Sequence, residues 1–485
     1  MIDRFYNCLL KVFSNSKGLM YAYYEEKYSF ADAYEVMKKL NGYLSDYKRK
    51  KVVLYGEKTF QVYCALYAIL LSDNIWIPIT PGLPDDRMFS MLDVLKPDLV
   101  LSENNLPEGV QSYALKNGVK TAVIEDLLSQ SQSKEFLVEN FDANDLAYIM
   151  FTSGSTGVPK GVPMTHLNYI NFIENALEIL PFEKEEIFSD YHDFAFDISI
   201  FYLFCAPLTE SAISPIRKPE ERMFPLNHIQ KNKITVWSSV PSVISCLQRF
   251  RPNEKLKNTI KIMFLCGEPF RLSVLDYCYE CLEIDHVYNF YGLTETGVEN
   301  FYHPCVKDDV LRFQNKGFVP IGKPLKGNEI KVTEEKELLL SGCQLTPGYL
   351  GGIGKDRFEY IDGVRWYHTG DIVEIDDGLC FCKGRLDSQV KISGHRIELM
   401  DVEVHLRSFK GIKEAICFVE DAAAVTRLVC AVETEGEELG LLDIQKWLSS
   451  RVPSYMIPKK LFYVDQMPTN KNGKIDRKAI KEMFS

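Results

Sequence analysis

The fold class this sequence predicts is α/β, in more than one domain. Short apolar runs bounded by glycine, proline or polar residues alternate with helix-like stretches, as in parallel sheets wrapped by helices. The 485 residues exceed what a single core normally holds. No internal repeat or low-complexity segment interrupts the alternation.

The elements follow in order. Lys51–Tyr55 reads as a strand closed by Gly56. The run 62–71 is the longest apolar stretch; it is too short to span a bilayer and reads as a buried helix. Further strands are expected at 76–79, 98–101, 146–151, 235–237 and Ile262–Leu265. Past about residue 320 the texture becomes β-rich, with short glycine-marked strands such as Glu337–Gly342. Another boundary falls at 384–387, followed by a strand at 388–392 and a helix over 398–408, so the last hundred residues read as a small α/β domain. Cys278 and Cys281 read as buried thiols on a helix, and Cys380 and Cys382 as one face of a strand.

Composition is ordinary for a globular protein, with 46% hydrophobic and 25% charged residues. A net charge of −11 gives no electrostatic footprint for nucleic acid or an anionic membrane. The thirteen cysteines are scattered without a framework, which points to a reducing, cytoplasmic setting. The N-terminus mixes acidic and basic residues without an apolar core and is not a signal peptide.

The strand at 146–151 breaks into Thr152, Ser153, Gly154, Ser155, Thr156 and Gly157, then Pro159 and Lys160. Small hydroxyl residues and glycines let backbone N–H and side-chain O–H groups converge on an anion, and Lys160 adds charge. It is a phosphate loop, but without the Walker spacing. Farther on, Cys266-Gly267-Glu268-Pro269 marks a turn at the carboxyl end of a strand, where α/β proteins bind ligands. Asn289-Phe290-Tyr291-Gly292-Leu293-Thr294-Glu295 offers an amide for a base edge, an aromatic ring, a hydroxyl and a carboxylate for phosphate and Mg²⁺. Asp371, in Tyr367-His-Thr-Gly-Asp, suits a ribose diol, and Lys474, in Asn-Gly-Lys-Ile-Asp, suits developing negative charge.

Taken with Phe196-Asp197-Ile198-Ser199, Gly384-Arg385-Leu386-Asp387 and Pro468-Thr-Asn-Lys-Asn-Gly-Lys474, these strings resemble the adenylate-forming superfamily along essentially the whole chain. They are similar to its stand-alone amino-acid-activating members. Phe264-Leu-Cys-Gly-Glu268 and Arg451-Val-Pro-Ser-Tyr-Met-Ile-Pro458 resemble the D-alanine–carrier-protein ligases. The resemblance implies a large N-terminal part, 1–384, of two doubly wound α/β layers plus a β-barrel. A small mobile C-terminal domain, 385–485, would begin at a hinge near Asp387.

Site roles are likewise implied by the resemblance. Thr152, Ser153, Gly154, Ser155, Thr156, Gly157 and Lys160 would handle the ATP phosphates. Gly267, Glu268, Pro269, Asn289, Phe290, Tyr291 and Gly292 would form the adenine pocket. Thr294 would contact the α-phosphate and Glu295 would hold Mg²⁺. Asp371 and Arg385 would bind the ribose. Lys474 would bridge the substrate carboxylate and the α-phosphate. Asp197 would pair with the substrate ammonium, because either charge left unpaired in a closed pocket is costly. Ile198, Phe201, Ser238, Phe264, Cys266, Phe290, Val298 and Glu299 would form the pocket wall, where bulky rings shorten the cavity and favour a small amino acid.

The implied reaction is ATP-dependent formation of an aminoacyl-adenylate with release of pyrophosphate. Transfer then follows to the phosphopantetheine thiol of a separate carrier protein, since no carrier attachment string follows Lys474. Two rivals are an acyl- or aryl-CoA ligase, which Asp197 disfavours, and a non-catalytic nucleotide-binding partner protein, which the intact Lys474, Glu295 and Asp371 disfavour. Two departures from the family pattern stand out. Leu293 replaces a proline, which is expected to loosen that turn, and Ser393-Gly-His replaces an Arg-Gly start.

Overall fold

The computed structural model describes residues 1–154, 158–250, 255–256, 259–386, 389–422, 425–434, 436, 439–468 and 475–484. The chain divides into two compact units: 1–81 with 95–150 and 161–386, and 82–94 with 151–160 and 387–485.

The first unit is built on two large sheets. In the six-stranded sheet the order is Lys120–Val123, Leu99–Ser102, Lys51–Tyr55, Ile75–Ile79, Leu146–Thr152 and Lys160–Thr165, and its first five strands are parallel. The nine-stranded sheet has a parallel centre: His286–Tyr291, Ile262–Leu265, Val236–Ser239, Ile187–Asp190, Ala212–Pro215 and Leu19–Tyr23. Antiparallel strands close both its edges. Strands at the centre of such sheets are buried on both faces, which is why they appear as continuous apolar runs. The helix Phe60–Leu71 is buried all round. A single hydrophobic cluster takes in that helix and strands of both sheets.

The β-rich part is a five-stranded antiparallel sheet in which Val364–Asp376 pairs with Glu337–Gly342, Phe358–Ile361 and Leu379–Arg385. This register sets Asp371 opposite Arg385.

The second unit contains the three-stranded sheet of Ile412–Ala422, Val425–Thr434 and Lys460–Val464, and the hairpin Gln389–Ile392/His395–Glu398. The hairpin turn, Ser393-Gly394, has φ of +50° and +82°, the two left-handed residues a tight hairpin of native twist requires. His395, which follows that turn, stacks flat on Tyr455 at 3.8 Å, while Ser393 stands where the Arg-Gly start would put a cation. Arg87 is buried against Asp401 at 3.0 Å. The buried carboxylate of Glu403 is bound by Arg477 and by the Cys417 backbone N–H.

Contrary to the reading of unpaired thiols, Cys417 and Cys430 are joined by a disulfide. They are direct cross-strand partners with Cα atoms 4.1 Å apart, a pairing that a separation of 13 residues does not advertise. Cys278 is buried on the helix Leu272–Glu280 as expected, with Cys281 at its C-cap. Among the described residues no helix is long and apolar enough to cross a membrane.

Candidate active site

The first unit gathers three groups of the expected residues. Tyr291 ends its strand of the nine-stranded sheet, the position at which α/β sheets hold ligands.

The first is a carboxylate clamp. The Tyr291 hydroxyl donates to Asp371 Oδ2 at 2.6 Å, and Arg385 Nη1 donates to Oδ1 at 2.7 Å. Arg385 Nη2 also holds the Thr369 carbonyl at 2.9 Å. Burial first, then the Asp371 carboxylate, push the Tyr291 hydroxyl well above its ordinary pKa, so it stays a donor. An ionised carboxylate offers about four lone-pair sites, so two remain on Asp371 for a ribose diol.

Nearby on the same strand, Asn289 Nδ2 donates to the Pro320 carbonyl at 2.8 Å, which fixes the amide's orientation because a carbonyl can only accept. Gly267 adopts φ +80° just after Ile262–Leu265, and Glu268 accepts the Ser242 backbone N–H at 3.0 Å, tying this turn to the preceding helix Pro241–Phe250.

The second group is the loop after Tyr291. A Cβ on Gly292 would lie 2.1 Å from the Val298 carbonyl oxygen, so only glycine fits. Leu293 is buried, with φ −138°, which proline's ring forbids, and its carbonyl accepts the Thr296 backbone N–H at 2.9 Å. Leucine therefore does not slacken the turn; this backbone path excludes proline. Thr294 and Glu295 form the short 3₁₀ turn that follows. Glu295 is buried and accepts the Tyr349 hydroxyl at 2.7 Å. Val298 sits at φ +74°, a strained conformation for a β-branched residue. Buried Gln344 holds the carbonyls on either side, donating to Gly297 O at 2.7 Å and Glu299 O at 2.8 Å. Glu299 itself is buried.

The third group is a column of rings. Phe201 stacks on Phe264 at 4.2 Å, and Phe264 on Phe290 at 4.1 Å, all three buried. Ser238 and Cys266 are buried on the same sheet, and the Ser238 hydroxyl is without a hydrogen-bond partner among the described residues. The cap of the helix Ser199–Leu208 is Ile198, so Asp197 is not its N-cap residue. Burial, and next the Asp197 charge, push the Tyr148 hydroxyl far above its ordinary pKa, which places that tyrosine within the carboxylate's field. The hydroxyl of Tyr148 is buried and, among the described residues, unpartnered.

In the second unit, Gly154 is fixed by close approach: a Cβ there would stand 2.1 Å from the Val158 carbonyl oxygen. The Ser153 hydroxyl donates to the Arg396 carbonyl at 3.3 Å and accepts the Glu398 backbone N–H at 3.1 Å. Thr152 ends its strand and Lys160 begins the next. Ser155, Thr156, Gly157, Asp387 and Lys474 lie outside the described residues.

Sequence reasoning missed Tyr349, Gln344 and Tyr148. Tyr349 ends a Pro-Gly-Tyr turn, whose glycine was a usable signal; nothing local marks Gln344, whose carbonyl acceptors Gly297 and Glu299 lie more than 40 residues away.

Comparison with known proteins completes the picture. The pattern described as AMP-binding enzyme matches residues 14–350, and the AMP-binding enzyme C-terminal domain matches 401–474. A D-alanine–D-alanyl carrier protein ligase of Staphylococcus epidermidis is 31% identical over 469 residues, covering 93% of each chain. A ligase of the same name from Staphylococcus aureus is 29% identical over 456 residues, covering 90% of each. The fold resembles the Vibrio cholerae adenylation domain AlmE in complex with glycyl-adenosine-5′-phosphate, with a TM-score of 0.82 at 20% identity, over 98% of this chain and 97% of that one. It also resembles o-succinylbenzoate CoA synthetase of Bacillus subtilis, with a TM-score of 0.84 at 19% identity, over 98% of both chains.

Proposed function

The chain belongs to the AMP-binding enzyme family, and from that premise we propose that it activates a small amino acid, D-alanine first, and passes it to a carrier protein. The amino-acid carboxylate attacks the α-phosphorus of ATP, pyrophosphate leaves, and the aminoacyl-adenylate then acylates the phosphopantetheine thiol of a separate carrier. The observation that carries this reading is the column Phe201–Phe264–Phe290, stacked at 4.2 and 4.1 Å and fully buried. Such a column takes up the room a long side chain would need, while Asp197 supplies the counter-charge for an ammonium group. The relatives named as D-alanyl carrier protein ligases support the same substrate and acceptor.

In this reading Asp371, held by Tyr291 and Arg385, accepts the ribose hydroxyls, and Asn289 presents its remaining polar edge to the base. Thr152, Ser155, Thr156 and Lys160 hold the phosphates, with Thr294 at the α-phosphate and Lys474 neutralising the charge that develops there. Mg²⁺ fits one site: Glu295 is a hard oxygen donor fixed by Tyr349. Among the described residues no three His, Cys, Asp or Glu side chains gather for a metal, and Mg²⁺ is usually held by one or two carboxylates together with substrate phosphates. The metal would neutralise phosphate charge as pyrophosphate departs. Residues 1–384 would bind both substrates, and 385–485 would act as a lid turning at Asp387. ATP and a phosphopantetheine carrier are reagents of the cytoplasm, where we place the enzyme.

The test is to incubate the full chain with ATP, Mg²⁺, D-alanine and a phosphopantetheine-loaded carrier protein and to weigh the carrier. A gain of one alanyl group, dependent on ATP, is the expected result. A carrier of unchanged mass beside pyrophosphate-producing turnover with a plain carboxylic acid would overturn it.

A further inference from the structure

The carboxylate that the proposed reaction sets against the substrate ammonium, Asp197, stands on neither a helix nor a strand. It belongs to the loop 191–198, between the strand Ile187–Asp190 and the helix Ser199–Leu208. A loop has no ladder to fix it, so other hydrogen bonds must hold its backbone where Asp197 can meet a ligand. Both ends are anchored. Before the loop, the Asp190 carboxylate pairs with Lys58 at 2.6 Å, and both are buried. At its far end, the Phe194 carbonyl accepts the Ser199 hydroxyl at 3.3 Å and the Asp197 carbonyl accepts the Ile200 N–H at 2.9 Å.

One residue organises the middle. Asp193 Oδ1 accepts the Ala195 backbone N–H at 3.0 Å, closing a side-chain turn. The Asp193 carbonyl accepts the Phe196 N–H at 3.0 Å. Ala195 and Phe196 are the two residues immediately before Asp197. The same Oδ1 also accepts the Thr80 hydroxyl. Thr80 follows the strand Ile75–Ile79 of the six-stranded sheet, whereas Asp193 follows the strand Ile187–Asp190 of the nine-stranded one. This bond therefore ties the loop to a second sheet. Beside it, buried Phe194 meets the rings of Tyr63 and Trp76 edge-on at 5.0 and 6.4 Å. Asp190 and Asp193 differ in what they hold. Loss of Asp190 would leave Lys58 buried without its counter-charge, a cost to the whole fold. Asp193 is only half-buried, and its loss is felt in the loop.

We infer that Asp193, tied by Thr80, is a positioning residue that sets Asp197 for the substrate ammonium and thereby enforces the choice of an amino acid over a plain acid. The inference rests on the proposed function, in which Asp197 meets that ammonium. Asp193 works as an acceptor rather than as a charge. Both bonds land on one oxygen, and an amide carbonyl, with two lone pairs, can take both.

The test is ATP–pyrophosphate exchange by the full chain with D-alanine and with propionate, in Asp193→Ala, Asp193→Asn, Thr80→Val and Thr80→Ser. In Thr80→Val the D-alanine KM rises about tenfold, the scale of one hydrogen bond to a charged group, and in Asp193→Ala at least as much. The ATP KM and kcat hold. Exchange with propionate, which has no ammonium to place, is unchanged, so selectivity falls by the same factor. Asp193→Asn and Thr80→Ser keep the acceptor and the hydroxyl and stay near wild type. Because Thr80 acts through Asp193, the double variant Asp193→Ala/Thr80→Val is no worse than Asp193→Ala alone. A rise in both KM values, or a fall in kcat with both acids, would mean a general loosening of the fold and overturns the inference. So does a wild-type D-alanine KM in Asp193→Ala and Thr80→Val, or an Asp193→Asn enzyme as impaired as Asp193→Ala, which would make the charge the working part. Thr80→Val leaves every residue of the loop in place and decides the matter should Asp193→Ala fail to fold. Absence of D-alanine exchange in the wild type overturns the functional reading together with this inference, whereas the variant results bear on the inference alone.

Discussion

Replacing Tyr291 by phenylalanine removes one oxygen atom and tests the clamp on Asp371. The ring remains for any stacking, and Arg385 still holds Oδ1 at 2.7 Å. What is lost is the 2.6 Å bond from the hydroxyl to Oδ2. A hydrogen bond to a charged group contributes about 1.5–3 kcal/mol. Because the carboxylate keeps one partner, the lower end applies, and about 1.5 kcal/mol corresponds to roughly tenfold in affinity. If Asp371 binds the ribose, the loss falls on ground-state binding: the ATP KM in the exchange assay rises about tenfold and kcat changes little. Arg385→Ala is harsher, since it strips the cation from a buried carboxylate; breaking such a pair costs about 3–5 kcal/mol and should lower the unfolding temperature as well. A wild-type ATP KM in Tyr291→Phe, alongside a large loss in Tyr291→Ala, would show the hydroxyl idle and refute the clamp.

Two further outcomes follow from buried groups. His166 is pushed down to about 4 by burial and then the Arg49 charge, and His228 down to about 4 by burial against the opposing pull of Glu221. Both folded values lie below the ordinary 6.5, so between 6.5 and 4 the unfolded chain binds more protons. That part of the stability is present above pH 6.5 and is lost as pH falls through the window, by about 2 kcal/mol per histidine at pH 5. Urea unfolding at pH 7 and pH 5 reads this, and His166→Gln should remove about half of the difference; an unchanged slope would mean the imidazole titrates normally. Phe290→Ala opens one end of the ring column and should cost about 3–5 kcal/mol. It should also admit amino acids as large as leucine in the exchange assay. Destabilisation with the same narrow substrate range would mean that the column does not floor the pocket.

Several of the central sheet strands were legible because central parallel strands must be apolar on both faces and end at glycine or a polar turn. Lys51–Tyr55, Ile262–Leu265 and Glu337–Gly342 stand where the pattern puts them. The helix Ile2–Asn15 was not seen, though it buries Ile2, Phe5, Tyr6, Leu9 and Phe13 at helical spacing. Interspersed Asp3, Arg4 and Lys11 hide that stripe from a search for apolar runs. The long strands Ile412–Ala422 and Val425–Thr434 went unread, and with them the Cys417–Cys430 bond, because register is a property of the pair rather than of either segment. In the site, motif strings gave Asp371 and Arg385 separately; only the register of two strands shows that they grip each other. Ser153 shows the converse. Its motif suggests phosphate, whereas its hydroxyl here bonds the backbone at Arg396 and Glu398, partners that a linear string cannot name.

The account turns on the pairing of Asp197 with an ammonium group. The most direct measurement is ATP–pyrophosphate exchange with D-alanine and with propionate, the same carbon skeleton without the amine, in the wild type and in Asp197→Asn. The account predicts strong exchange with D-alanine, little with propionate, and loss of the D-alanine signal in the variant. Equal exchange with propionate, or an Asp197→Asn enzyme that still prefers D-alanine, would contradict it.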